Sequence, residues 1–335
     1  MTTARISRRD WLQAAAAFAT ALTVGPRIGR AAGLRAMRFG TGLKAMSPIV
    51  INTVIGEALG YNKAEGFQLD PLPLGTNANV QIAVDKGDAD FGVGTPSFQL
   101  PLLAKRELGG SVNFYEYTYP YKWDVAVKSG SPIKSYAELK GKKIGVSSLG
   151  GTEYPVTRNV LKSLGIDPDK DVSWLAVGQG VTAGVALERG AIDALAYYDV
   201  GFGQIEAAGI KIMFVPRPKD VPLIGGQFLM CRKDFLATNR ALAVGFGRSV
   251  AKASTYLLAN PAAGAKAFLD MYPTAAPRGA TGAEAIKAVL FAVSRRIKLY
   301  VPPYPNTQMG YIHESEYRLE AKFDGVAVNS FKGFY

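Results

Sequence analysis

The chain has 335 residues, of which 48% are apolar and 20% charged, enough to bury a large core and divide it between two lobes. Its single cysteine, Cys231, and single histidine, His313, exclude an intrachain disulfide and a zinc site built from Cys and His ligands. The formal charge of +12 sits on scattered Lys and Arg with no basic stripe interleaved with aromatics, which argues against nucleic acid as a partner and reads mainly as a solubility feature.

In chain order, the first element is a leader. Ser7-Arg8-Arg9-Asp10-Trp11-Leu12 precedes an apolar run, Ala14 to Val24, and a small-residue stretch, Gly29 to Gly33. A basic region, a short apolar region and a cleavage zone define a signal peptide over 1–33. The apolar run is about a dozen residues, against the roughly 20 that a membrane-spanning helix needs. The paired arginines before Trp11 and Leu12 suggest the twin-arginine type, although Gln13 stands where such signals often carry a basic residue, and an ordinary secretory signal is the alternative. No cysteine lies near the cleavage zone, so the expectation is an exported periplasmic protein without a lipid anchor.

The body of the chain repeats a pattern about a hundred residues apart. Met37-Arg38-Phe39-Gly40-Thr41-Gly42 matches Lys142-Lys143-Ile144-Gly145-Val146-Ser147 as a basic residue, a strand and a loop. Downstream, Ala83 to Gly92 matches Ala186 to Leu195: a short helix ends at a Gly, and an apolar strand follows an Asp. Gly suits the left-handed position just past a helix, and the alternation of helix and strand predicts parallel βαβ units. Between these landmarks each copy has a helix running into a Gly, at Gly60 and at Gly165, and a second strand, near Phe67 to Leu74 and Val172 to Val177.

Two such units predict two lobes, one from 34–118 plus 225–335 and the other from 119–224. The strand-like Asn113 to Tyr117 and the segment Val221 to Gly225 are expected as the crossings, and the crossings as a hinge. Gly226 to Arg232 reads as a strand returning to lobe one, with Cys231 a buried structural thiol. Helices are expected at Asn239 to Leu258, Ala262 to Met271 and Ala283 to Ile297, then a segment from Tyr311 in which His313 is a surface or helix-capping residue. No Gly-x-Ser-x-Gly nucleophile elbow is present for a histidine to serve.

The stretch Lys128 to Val146, with its Ser-Pro-Ile-Lys-Ser-Tyr-Ala-Glu-Leu-Lys-Gly-Lys-Lys-Ile-Gly-Val core, resembles the nitrate/sulfonate/taurine group of ABC importer binding proteins, a group that includes binders of thiamine-precursor pyrimidines. The Gly87-Asp88-Ala89-Asp90 and Gly190-Ala191-Ile192-Asp193 turns carry the same resemblance. It implies an α/β, two-lobe periplasmic binding protein fold of type II with the ligand cleft at the hinge. It further implies a monomer that passes a small molecule to a permease with a cytoplasmic ATPase, with no cofactor and no catalysis. Pyrimidine synthases share the fold but rely on a cysteine and histidines that this chain lacks, and a periplasmic sensor module would use the same cleft.

Ligands of open parallel sheets bind beyond the carboxyl ends of the strands, which selects the loops that follow each strand. From lobe one these loops offer Lys44, Met46, Ser47, Thr76, Asn77, Thr95, Pro96, Ser97 and Phe98. Lobe two offers Ser148, Gly150, Gly151, Thr152, Glu153, Gln179, Tyr198 and Asp199. The glycines and hydroxyls of Ser148 to Thr152 open a helix near Glu153, so free N–H groups there suit an oxyanion, whereas Glu153 itself suits a cation or an aminopyrimidine. Related proteins place an aromatic and an Asp near the ligand, which implies that Tyr198 stacks and Asp199 accepts a ligand N–H. Met46, Phe98 and Tyr117 are expected as apolar walls. Lys44 is the only cation in these loops, which disfavours a multiply charged anion. The expected ligand has one acidic or polar head near Gly150 and Gly151 and an apolar or nitrogen-bearing body beside Tyr198.

Overall fold

The computed structural model describes residues 33–335, so the leader reading falls outside the described residues except at Gly33. The first sheet contains β1 (Arg35–Thr41), β2 (Phe67–Pro73), β3 (Phe91–Gly94) and β4 (Ser111–Thr118). The second contains β5 (Trp123–Lys128), β6 (Lys143–Val146), β7 (Ser173–Ala176), β8 (Ala194–Tyr198) and β9 (Ile212–Phe214). A late strand, β10 (Gln227–Arg232), returns to the first sheet, giving the orders β2-β1-β3-β10-β4 and β7-β6-β8-β5-β9.

The repeat in the sequence is a repeat in hydrogen bonding. In the first copy Arg38 N–H donates to Asp90 Oδ2 at 2.9 Å while Asp90 N–H donates back to Arg38 O at 3.0 Å. In the second, Lys143 N–H donates to Asp193 Oδ2 and Asp193 N–H returns to Lys143 O, both at 2.8 Å. The Asp of each turn therefore fastens β3 to β1 and β8 to β6 in the same way. The turn before it needs a left-handed residue, and Gly87 and Gly190 supply φ of 80° and 73°. β10 lies antiparallel to β3, and β5 antiparallel to β8, so each sheet completes itself with a strand that has just crossed from the other.

The helices are α1 (Ile51–Val54), α2 (Tyr61–Ala64), α3 (Asn77–Lys86), α4 (Pro96–Lys105), α5 (Glu153–Ser163), α6 (Val181–Glu188) and α7 (Asp199–Ala207). After β10 come α8 (Lys233–Thr238), α9 (Arg240–Ala259), α10 (Pro261–Met271), α11 (Gly282–Val293) and α12 (Glu314–Phe323). Three expectations are corrected. The helix entering Gly60 is broken, because the N–H groups of Tyr61 and Asn62 turn back to Gly56 O at 2.8 and 3.2 Å and Gly60 takes φ 73°. The helix expected to reach Ile297 stops at Val293, and a short 3-10 turn, Ile297–Tyr300, follows. Asn113 to Tyr117 lies within β4, so the first crossing begins beyond Thr118.

The larger core packs α9 on the first sheet. Phe246 meets Phe39 and Phe67 edge-on at centroid distances of 5.3 and 6.0 Å, and each of these rings is fully buried. Burying each ring contributes roughly 1.5–3 kcal/mol. α11, although it follows β10 in the chain, packs on α7: the backbone of Ala292 lies so close to Gly203 that a Cβ there would approach its Cα to 2.6 Å. α12 also reaches both halves, with Tyr317 stacked among Phe228, Phe331 and Phe334 and Phe323 resting on the core of the second sheet. Cys231 is wholly buried in β10, and burial pushes its thiol up to about 12. His313 precedes α12 without capping it through its side chain and packs instead against Tyr304.

Candidate ligand cleft

The carboxyl ends of β1, β3, β6 and β8 face a small cavity of about 40 Å³, room for a few water molecules. Asn77, Tyr117 and Gln227 line it from the first half, and Trp123, Ser147, Gly151, Glu153, Gln179 and Tyr198 from the second. Beside it, sharing Gln179 and Tyr198, lies a second space of about 410 Å³, lined by Lys44 to Ser47, Gly178 to Gly180, and Thr274 and Ala275 from the turn before α11.

Glu153 is a buried carboxyl among the residues that line the cavity. Its carboxylate folds back over the start of α5, where Oε1 accepts the Ser147 N–H at 2.8 Å. It lies so close to Gly151 that a Cβ there would come within 2.6 Å of Oε1. Burial raises the Glu153 carboxyl above its usual range, opposed by hydrogen bonds from Ser147. The expected oxyanion seat at Gly150 and Gly151 is therefore corrected, because the chain's own carboxylate occupies that helix start. The Thr152 side chain makes no capping bond, and the buried Ser148 and Thr152 hydroxyls find no partner in the protein.

Gln179 lines the cavity with both amide ends spent on closure. Lys44 N–H donates to its Oε1, and its Nε2 donates to Gly42 O, both at 3.1 Å. Thr76 and Gly150 meet across the same gap, Thr76 Cβ lying 3.0 Å from where a Gly150 Cβ would stand, while Thr76 Oγ1 caps α3 by accepting the Asn79 N–H. The structure thus holds the two halves against each other through loops expected to touch a ligand.

The remaining expected residues divide. Asn77 faces the cavity and is held by donating to Thr95 Oγ1 at 3.1 Å, so Thr95 supports it from behind. Tyr117 forms a wall, as does Tyr198, which stacks on Tyr197 at 4.4 Å and meets Trp123 edge-on at 6.5 Å. Lys44, Met46 and Ser47 line the second space beside the cavity. Pro96, Ser97 and Phe98 line neither space. Ser97 instead donates to Glu320 Oε1 at 2.6 Å, because α4 turns that face toward α12.

Asp199 is the clearest correction. Arg296, wholly buried, holds its two oxygens through Nε at 2.8 Å and Nη2 at 2.5 Å, and Asp199 Oδ1 also accepts the Val200 N–H at the start of α7. Its charge is spent on a structural pair. Arg296 was hidden from sequence reasoning, since it falls near the end of the helix expected from Ala283 to Ile297 and far from any cleft loop. Trp123 and Gln227 were missed too, because each opens a strand directly after a crossing, whereas the strand-end rule selects residues that follow a strand.

The crossings themselves carry a cluster of buried charge. Lys122 Nζ donates to Gly225 O, and the Gly225 N–H donates to Glu320 Oε2 at 3.0 Å. Both oxygens of Glu116 are buried without a partner. Burial pushes Lys122 down to about 7 and Glu320 up to about 8, and burial with the neighbouring Glu316 raises Glu116 well above its usual range.

Two mixed sheets completed by exchanged strands, with a cleft at their carboxyl edges, define the two-lobe fold of periplasmic binding proteins. The alkanesulfonate-binding protein SsuA of Xanthomonas axonopodis pv. citri, solved bound to MOPS, superposes with a TM-score of 0.61 at 17% identity, over 80% of this chain and 84% of that one. The chain belongs to the NMT1/THI5-like family, whose family model matches residues 47–264. A 4-amino-5-hydroxymethyl-2-methylpyrimidine phosphate synthase of Aspergillus parasiticus is 26% identical over 65% of this chain, and a Haemophilus influenzae protein named for thiamine biosynthesis is 30% identical over 44% of it. The chain spans 66% and 46% of the length of these two relatives.

Proposed function

We propose that this protein is an exported solute-binding component that captures a small, nitrogen-bearing organic molecule between two lobes, 34–118 plus 225–335 and 119–224, and delivers it as a monomer to a membrane permease with a cytoplasmic ATPase. The observation that carries this reading is the buried Glu153 carboxyl facing a cavity between aromatic walls. A carboxyl in that place accepts hydrogen bonds from an amine or amino-heterocycle and repels a bare oxyanion. The name of the Aspergillus relative supports a pyrimidine-like ligand, and the leader supports delivery to the periplasm. Gln179 closes the lobes over the ligand, and a preference for that closed arrangement shifts the opening equilibrium.

Calorimetric titration of the purified protein with 4-amino-5-hydroxymethyl-2-methylpyrimidine, an alkanesulfonate, an aliphatic amine and nitrate tests this directly. The pyrimidine should bind tightest, and Glu153→Gln should weaken it by about 1.5–3 kcal/mol through loss of a charge-assisted hydrogen bond. Tightest binding of nitrate, unaffected by that substitution, would overturn the ligand class. The synthase name of the same relative also favours a second reading as an enzyme, which mass spectrometry of the bound molecule separates: a carrier returns its ligand unchanged.

A further inference from the structure

Gln227 stands at the first position of β10 and contributes to the cavity wall with only 4% of its surface exposed. Behind it, Arg296 Nη1 donates to Gln227 Oε1 at 3.1 Å. A guanidinium offers donors and no acceptor, so the end of the amide that meets it must be the carbonyl. Asp199 fixes the guanidinium in turn by holding Nε and Nη2, and is itself fixed by the Val200 N–H at 2.7 Å. The Gln227 NH2 is the end left over. No oxygen among the described residues accepts from it, and it is not sealed away from accessible space.

We infer that Arg296 is a positioning residue of the cleft: by engaging the Gln227 carbonyl it commits the Gln227 NH2 as a donor to the cavity, so the ligand must carry a hydrogen-bond acceptor there. The inference rests on the solute-binding reading and narrows it. Glu153 comes from the second half and accepts, Gln227 from the first half donates, and a ligand joining the two carries an acceptor on one side and an N–H donor on the other. Amino-substituted nitrogen heterocycles have that pattern, whereas a protonated amine has no acceptor and an arylamine's nitrogen lone pair is delocalised into its ring. The chain of contacts from α7 through Arg296 to β10 explains why a fully buried charge pair lies beside a ligand cavity.

The test uses two probes of nearly equal shape, 4-aminopyrimidine and aniline, titrated calorimetrically into the protein. The wild type should prefer 4-aminopyrimidine by roughly tenfold or more, because a donor left unpaired by aniline is costly. Gln227→Glu still offers Arg296 an acceptor but has no NH2, and should lose that preference. An unchanged preference in Gln227→Glu would overturn the proposal. A ligand-free measurement keeps the question open to refutation if neither probe binds. The side-chain amide signal of Gln227 in a nitrogen-15 spectrum, identified by its loss in Gln227→Glu, should shift and exchange faster in Arg296→Lys. An unmoved signal would refute the positioning role. A moved signal with no binding of either probe would uphold it and refute the solute class instead.

Discussion

At the scale of residues, the cleft depends on side chains whose polar ends are already committed. Asp199 and Arg296 form a buried bidentate pair whose removal from one side leaves a charge without compensation. Asp199→Ala should therefore lower unfolding free energy by about 3–5 kcal/mol, measured by urea denaturation. Asp199→Asn, which keeps one acceptor for the guanidinium, should cost less. Equal stability of Asp199→Ala and the wild type would mean that Arg296 finds another partner or water. Glu153 is legible from the sequence as a cleft residue, since it opens a helix after two glycines. Its orientation was not, because a carboxylate in the first turn can point to solvent, to a ligand or back onto its own loop, and local sequence does not rank those choices.

At the scale of elements, the repeated Asp turn explains why the two halves look alike in sequence. The residues that recur are those that fasten one strand to the next, so the βαβ units could be read before any contact was known. α11 is the contrary case. Its apolar character predicts a packed helix but not its partner, and the partner is α7 from the other half of the chain. Gly203 makes that approach possible, and a methyl group there would meet the Ala292 backbone. Gly203→Ala should destabilise the protein by roughly 1–3 kcal/mol through overpacking, despite its gain in helix propensity. A thermal melting temperature at or above wild type would show that α11 can slide away from α7 at little cost.

At the scale of the whole molecule, the buried charges at the crossings make stability depend on pH. Glu320 and Asp324 are pushed up to about 8 and about 6, so the fold binds protons that the unfolded chain has released. That contribution is complete below the ordinary carboxylate range and is lost as pH rises to about 8. Lys122, pushed down to about 7, has the opposite sign: its unfolded form binds the extra proton, so its contribution grows as pH rises above 7. The urea midpoint should fall between pH 5 and 7, and above pH 7 Lys122 opposes the further loss that the raised Glu116 carboxyl contributes. Lys122→Met should steepen the fall above pH 7, and a flat profile in the wild type would mean that these groups stay hydrated. The sequence by itself determined the two βαβ halves, the two-lobe α/β class, the buried Cys231 and the strand-end loops that hold Asn77, Glu153 and Tyr198. These follow from periodicity, turn chemistry and the rule that ligands meet parallel strands at their carboxyl ends, all of which act over short stretches of chain. Only the tertiary structure decided that Asp199 pairs with Arg296, that Ser97 serves Glu320, that Gln179 bridges the halves and that Gln227 faces the cavity. Each of those depends on residues from 69 to 223 positions apart, brought together by the crossings, and no local pattern encodes a meeting at that distance.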